Sequence, residues 1–333
     1  MVPVSGGYEG GMTAGTIAAQ AERIAPALGE YLTRTPLTEF AAFSEELGAQ
    51  VLVKCEHLQR TGSFKARGSL AKLLSLSDEV RGRGVSTASS GNHGLGVANA
   101  CSLLGTKATV FVHEDVAPVK AAAIRRLGAD LRIERTPLVE LEGVARRYAA
   151  EYGLTYVSPY NDLDVIAGQG TIGVEIADQV DRLDTVFISV GGGGLISGVA
   201  SVLKARMPGI RVIGVQPAVD AAMYESARAG HSVLIDGLPT LSDGTSGNVE
   251  ESAVTIGLCA SLVDEWVLVP EREIAAALRT IIDTEHQLVE GSAAMAFAAA
   301  RMLREQIAGQ RVGVLSCGAN ISAKTLVRAL ADV

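Results

Sequence analysis

Aromatic side chains are scarce in this chain, only 4% of 333 residues with a single tryptophan, so its interior must be built from small aliphatic residues. Dense runs of Lys and Arg are also missing. With a formal charge of −8 and a pI near 5.3, that argues against a nucleic-acid or anionic-membrane surface. The four cysteines, Cys55, Cys101, Cys259 and Cys317, lie far apart with neither CxxC nor metal-ligand spacing. They read as buried thiols of a reducing cytoplasm rather than a disulfide framework. No apolar run reaches the ~20 residues of a membrane helix, and the Ala-rich stretch 291–300 reads as a buried helix instead. The N-terminus lacks a charged segment followed by an apolar one, so it does not read as a signal peptide. Gly6, Gly7, Gly10, Gly11 and Gly15 make the first fifteen residues an expected flexible lead, with Met12 a candidate start. No repeat with a period of 20–50 residues is visible.

What is present is a compact composition: 48% hydrophobic, 20% charged and 37 glycines, enough chain for one large or two modest domains. Short β-branched runs begin at Val51, Val85, Ala108, Val186, Arg211, Glu265 and Val312, and each reads as a buried parallel strand. Helical patterns over 94–104, 117–127, 139–152, 165–180, 195–207 and 271–287 alternate with them, which makes the fold class α/β with parallel sheets. Strands ending near 88, 190 and 315 each run into Gly or Ser, and the carboxyl ends of parallel strands are where such sheets bind ligands.

The most informative segment is Gly191-Gly192-Gly193-Gly194, between a strand and a helix. Backbone without Cβ atoms can turn its N–H groups toward an anion, and the helix N-terminus adds partial positive charge, so the segment reads as a phosphate cradle. Its G-x-G-x-x-x-G spacing through Gly198 is not the dinucleotide fingerprint, and no Gly-Lys-Ser/Thr follows to make a P-loop. The phosphate therefore belongs to something other than ATP or NAD. A second segment, Ser63-Phe64-Lys65-Ala66-Arg67-Gly68, places Lys65 in the first turn of a helix, where the dipole favours the neutral amine. A third, Ser89-Ser90-Gly91-Asn92-His93-Gly94, joins a strand end to a helix start and is suited to gripping a carboxylate through backbone N–H groups. A fourth, Cys317-Gly318-Ala319-Asn320, ends the last strand with a thiol.

With Val165–Gly170 and Glu290-Gly291-Ser292-Ala293, these segments resemble the pyridoxal-phosphate enzymes of the tryptophan-synthase β-like fold, specifically the serine/threonine dehydratase and serine racemase group. The resemblance covers nearly the whole chain, in the family's order. It implies two open twisted parallel-sheet domains with flanking helices and pyridoxal phosphate in the cleft between them. The large domain would comprise 1–74 and 162–333, the small one 75–161. Lys65 would hold the cofactor as a Schiff base and then act as the base on the α-proton. Phe64 would lie against the pyridine ring, Asn92 would bond the cofactor's 3-oxygen, and Gly191, Gly192, Gly193 and Gly194 would bind its phosphate. Ser89, Ser90, Gly91, Asn92 and His93 would hold the substrate carboxylate. Cys317 would face the pyridine nitrogen, and Glu290 would handle a proton nearby. A neutral partner at that nitrogen makes the ring a weak electron sink, which suits β-elimination better than transamination. The implied reaction is dehydration and deamination of a β-hydroxy L-amino acid, such as L-threonine or L-serine, to a 2-oxo acid and ammonia, in a homodimer or higher homo-oligomer.

Departures from the family pattern mark alternatives. Ser90 stands where serine racemases carry their second acid/base, whereas Ser158-Pro159-Tyr160-Asn161 is closer to dehydratases. Gln216 and Ala222 replace the acidic ligands of the racemase metal site, so no metal is expected there. The chain stops soon after the 317–320 motif, so the regulatory domain of biosynthetic threonine dehydratases is not expected. The stretches 243–252 and 261–266 resemble dehydratase-like proteins of less common substrates, including a branch associated with hydroxyectoine breakdown. His57, His113, His231 and His286 share no spacing with the motifs and read as structural or surface residues. A protein that binds pyridoxal phosphate without turnover is the remaining alternative.

Overall fold

The computed structural model describes residues 13–136 and 138–331. The expected N-terminal lead, with its candidate start at Met12, falls outside the described residues as far as residue 12. From Ala14 the chain is already helical, through Gly29. Thr13 caps that helix, its hydroxyl accepting the Thr16 N–H at 3.3 Å, so Gly15 lies inside a helix rather than in a lead.

Two sheets organise the chain. The first has six strands: β1 (Leu37–Glu39), β2 (Gln50–Cys55), β7 (Thr185–Ser189), β8 (Arg211–Pro217), β9 (Glu265–Val269) and β10 (Arg311–Ser316). The second has four: β3 (Val85–Ala88), β4 (Ala108–His113), β5 (Asp130–Glu134) and β6 (Thr155–Tyr156). Their orders are β1-β2-β10-β7-β8-β9 and β5-β4-β3-β6. The seven expected strands all pair in parallel, and the one antiparallel pairing is that of the added edge strand β1 with β2. The seven apolar runs all form strands because helices cover both faces, leaving no polar alternation to hide them. The three strands not anticipated are short or polar. β5 reads Asp-Leu-Arg-Ile-Glu on an exposed edge, and β6 has two residues.

Glycine lets the helices approach closely. A Cβ on Gly198 would overlap the Ile166 carbonyl, and one on Gly68 would overlap the Gln169 side chain. Helix Leu163–Gln179 therefore packs tightly on both helix Gly194–Arg206 and helix Lys65–Ser75. The run Val165–Gly170 is thus a packing surface against the helix that begins at Lys65.

Beneath that helix lies a buried ionic network. Arg67, 2% exposed, donates Nε and NH2 to the two oxygens of Glu56, both at 2.8 Å, and NH1 to Glu175 at 2.8 Å. Lys54 binds the other Glu175 oxygen at 2.6 Å, and the Thr35 hydroxyl donates to Glu56 at 2.5 Å. Two cations and two anions balance, so no buried charge is left alone. Arg67→Met would strand Glu56, and we expect it to lower stability by about 3–5 kcal/mol in chemical denaturation. Glu56→Leu combined with Arg67→Met should cost less than Arg67→Met alone. A double variant as unstable as the sum of the two single ones would mean the pair is not energetically coupled.

Candidate active site

The carboxyl ends of β2, β3, β7 and β10 carry the sequence motifs. Ser63 pairs with Gly318 in an isolated bridge, the Phe64 N–H donates to the Cys317 carbonyl at 3.1 Å, and the Ala319 N–H donates to Gly62 at 2.9 Å. The lysine and cysteine segments are thereby zipped together. Thr61 precedes this join at φ 64, a left-handed conformation unusual for a residue with a branched side chain, and the Asn320 amide holds its carbonyl at 2.7 Å.

Lys65 opens helix Lys65–Ser75, its Nζ donating to the Pro159 carbonyl at 2.8 Å and lying 5.2 Å from the Phe64 ring centre. Burial lowers its pKa to about 8, opposed by the negative fields of Glu142 and, more weakly, Glu290. The sequence pointed to the helix dipole, whereas desolvation is the larger cause. Lys65 can therefore lose its proton near neutral pH, as an amine nucleophile or base requires.

Asn92, Glu290 and Asn320 form a tight trio. The Asn92 amide donates to both Glu290 oxygens at 2.9 and 3.1 Å, the Asn320 N–H donates to Glu290 at 3.0 Å, and the Asn320 amide donates to the Asn92 oxygen at 2.6 Å. Glu290 is buried, and desolvation raises its pKa to about 7 despite these bonds. The Cys317 thiol lies 4.0 Å from Glu290 and is held firmly neutral by burial.

In the serine loop, the Ser89 hydroxyl accepts the Gly91 N–H at 3.2 Å, and helix Asn92–Leu104 starts immediately afterwards. Ser90 and Gly91 lie partly exposed at this turn. His93 is buried, with Nε2 at 3.0 Å from the Val157 carbonyl, so Nε2 carries the hydrogen. Burial and the Lys65 charge depress its pKa to about 3, which keeps it neutral.

Residues 191–193 lead into helix Gly194–Arg206, with Gly193 at φ 84. A Cβ on Gly192 would overlap the Tyr160 ring, and one on Gly191 would come within 3.0 Å of Thr245 Cα. The Thr255 hydroxyl braces the loop by donating to the Gly192 carbonyl at 2.7 Å. A side-chain-free turn at a helix N-terminus beside a lowered lysine fits a phosphorylated aldehyde: the free N–H groups suit its phosphate and the amine its carbonyl.

Gln216 spends its amide oxygen on the Tyr224 N–H at 2.7 Å, and Ala222 is buried. Among the described residues no group of three His, Cys, Asp or Glu side chains is arranged to hold a metal ion. His57 is buried, 3.2 Å from Gln287, while His286 is exposed and ends helix Glu271–Glu285 at φ 54. The sequence reading missed the roles of Asn320, Tyr160, Thr245 and Thr255 and the presence of Glu142 near Lys65. Motif order pointed to Asn320 without its contacts, and nothing in local spacing singles out the others.

Comparison with known proteins places these features in context. The family described as "Pyridoxal-phosphate dependent enzyme" matches residues 29–318. L-threonine ammonia-lyase of Geobacter sulfurreducens is 39% identical over 90% of this chain and 74% of its own length. L-threo-3-hydroxyaspartate ammonia-lyase of Saccharomyces cerevisiae is 34% identical over 89% of this chain and 90% of its own. The solved structure of the processed form of threonine deaminase isoform 2 from Solanum lycopersicum superposes with a TM-score of 0.89 at 34% identity, covering 97% of this chain and 95% of that one.

Gly192→Ala would force the Tyr160 ring from its place on the cradle. We expect it to raise the pyridoxal phosphate concentration for half-saturation by about tenfold, equivalent to roughly 1.4 kcal/mol. Adding Tyr160→Ala should recover part of that loss. Unchanged affinity in a spectrophotometric titration of Gly192→Ala would show that the cradle lies elsewhere.

Proposed function

The chain belongs to the family of pyridoxal-phosphate dependent enzymes, and from that premise we propose that it eliminates water from a β-hydroxy L-amino acid such as L-threonine or L-serine, the product then taking up water and losing ammonia to leave a 2-oxo acid. The observation that carries this reading is Lys65, an amine lowered to about 8 and held 2.8 Å from the Pro159 carbonyl, with the Asn92–Glu290–Asn320 trio joined to its own segment. When bound, pyridoxal phosphate supplies the electron sink that makes the substrate α-proton acidic.

The chain's own residues do the rest. Gly191 to Gly194 would hold the phosphate, Phe64 would pack against the ring, and Asn92, fixed by Glu290 and Asn320, would present its amide to the 3-oxygen. Lys65 would hold the cofactor and, once freed by the substrate amine, take the α-proton at Nζ. The loop from Ser89 to His93 would orient the carboxylate, and neutral His93 ties that loop to Val157 without adding competing charge. Cys317, a neutral thiol, would offer the ring nitrogen no ionic partner, which would suit elimination better than transamination. Glu290, with a pKa of about 7, can hold or release a proton at this end of the site. The enamine released would hydrolyse to a 2-oxo acid and ammonia.

The division into a large domain, 1–74 with 162–333, and a small domain, 75–161, is part of the same proposal. It is supported by the four-stranded sheet, whose strands all fall between Val85 and Tyr156. Cytoplasmic residence is supported by the four free, buried thiols.

Borohydride reduction of the yellow holoenzyme followed by peptide mapping should place the pyridoxyl group on Lys65, and recovery on another lysine would overturn the mechanism. Racemisation is the second reading, favoured by the hydroxyl of Ser90 in the carboxylate loop. Elimination needs one base, whereas racemisation needs a second proton donor on the opposite face. Ser90→Ala is expected to abolish any conversion of L-serine to D-serine in chiral chromatography while ammonia release persists. Equal loss of both activities would make Ser90 a general support of the loop.

A further inference from the structure

Residues 241–250 lie between β8 and β9 of the six-stranded sheet and consist mainly of glycine and short polar side chains. Such a stretch has little apolar surface to bury, so hydrogen bonds must order it. The Leu241 N–H donates to Glu271 at 2.7 Å and the Ser242 hydroxyl to Ser292 at 3.1 Å. The Ser246 hydroxyl and the Gly247 N–H share one oxygen of Asp220, at 2.7 and 3.0 Å. Glu271 follows β9, Asp220 follows β8, and Ser292 opens helix Gly291–Met302, so the segment is pinned at three places on the six-stranded side.

That pinned segment presents two acids to the other sheet. Asp243 lies 3.7 Å from Lys120 Nζ, and Glu250 accepts from Arg146 at 2.7 Å and from the Asn161 amide at 3.1 Å. Lys120 stands on helix Pro118–Arg126, between β4 and β5, and Arg146 on helix Leu138–Tyr152, between β5 and β6. Both helices belong to the four-stranded side, and both lead to the serine loop. The first touches helix Asn92–Leu104, which starts at that loop. The second accepts the Ser86 hydroxyl at its Ala145 carbonyl, at 2.8 Å, and Ser86 is on β3, the strand that runs into the same loop. The Tyr156 ring orients Arg146 further, 4.1 Å from its guanidinium.

We propose that Asp243 and Glu250 are positioning residues for the amino-acid substrate: through Lys120 and Arg146 they set the placement of the serine loop, on the four-stranded side, relative to Lys65, on the six-stranded side. This rests on the reading under Proposed function, in which the serine loop takes the substrate carboxylate and Lys65 faces the α-carbon. A bound amino acid is then held from both sides of the cleft, and its affinity depends on how the two sides are set. Asn92, bonded to Glu290 and Asn320, ties one end of the serine loop to the six-stranded side. A single tie is a pivot, and the Asp243 and Glu250 pairs fix the tilt about it. The glycine loop, Phe64 and Lys65 lie on one side, so a change of tilt leaves their grip on the cofactor intact. Ion pairs as exposed as these add little to overall stability, which separates their effect on the site from an effect on folding.

The test uses the holoenzyme of the wild type, of Asp243→Asn, of Glu250→Gln and of the double variant. KM for L-threonine should rise about threefold in each single variant and about tenfold in the double one, with kcat and the half-saturating pyridoxal phosphate concentration within about twofold of wild type. Thermal midpoints should stay within about 2 °C. In the wild type KM should climb between about 0.05 and 0.5 M NaCl as the pairs are screened, and the double variant should lose that dependence. Asp243→Lys alone should raise KM more than Asp243→Asn does, and adding Lys120→Asp should bring it back toward wild type, a recovery that loss of a mere structural support would not show. An unchanged KM in the double variant, cofactor affinity falling in step with substrate affinity, or no recovery in the exchanged pair would overturn the proposal. L-2-aminobutyrate, which lacks the leaving hydroxyl, gives the same comparison without turnover when its binding is read from cofactor absorbance. If the wild type bound it more tightly than the double variant yet left threonine unconverted, the elimination reading would fail and the positioning role would stand. Equal binding by the two counts against the positioning role alone.

Discussion

The site depends on a charge pair that never reaches it. Arg67 lies two residues after Lys65 on the same helix, and its guanidinium is held on two sides by Glu56 and Glu175. Glu56 follows the end of β2, and Glu175 sits on helix Leu163–Gln179, so one side chain fixes the lysine helix to both the six-stranded sheet and the helix layer. A planar fork with five donors can satisfy two carboxylates at fixed angles, which a lysine cannot. Burial makes this arrangement rigid, because any tilt of the helix would leave a charge without its partner in a medium that does not solvate it.

The same dryness tunes the groups that face the cleft. Desolvation disfavours the charged form of any group, so it moves acids and bases toward one another on the pH scale. Lys65 falls to about 8 and Glu290 rises to about 7, which leaves an amine and a carboxyl exchanging protons in the same range. His93 is pushed the same way, far enough to leave the proton economy altogether. A histidine beside a lysine is often read as a base. Here its Nε2–H serves to tie the serine loop to Val157, and the lysine is left as the residue able to change charge.

The α/β class and the main strands were legible because β2, β3, β4, β7, β8, β9 and β10 are continuous apolar runs that need both faces covered. β1, β5 and β6 were not, since three-residue and two-residue strands and a charged edge leave too little pattern to count. The glycine loop and the lysine segment announced themselves through backbone chemistry that few structures other than an anion site require. The trio of Asn92, Glu290 and Asn320 could be placed only by family order, because 198 residues separate its first two members. The pair of Arg146 and Glu250 was invisible for the same reason, its members lying 104 residues apart.

The turn 158–161 draws these parts into one mechanical unit. Its Pro159 carbonyl holds the Lys65 amine, its Tyr160 ring rests on Gly192 and its Asn161 amide holds Glu250. Directly before it, Val157 anchors His93 and hence the serine loop. Glycine loop, amine, serine loop and Glu250 are therefore held by four of the five positions 157–161 at the exit of β6. A two-residue strand is a weak element by itself, but it is paired in register with β3, whose far end leads into the serine loop. The shortest strand of the smaller sheet thus sets the spacing between Lys65 and the serine loop. It can do so because the turn is braced from within, the Ser158 hydroxyl accepting the Asn161 N–H at 3.0 Å, and from outside, Tyr160 and Asn161 both bonding Glu250.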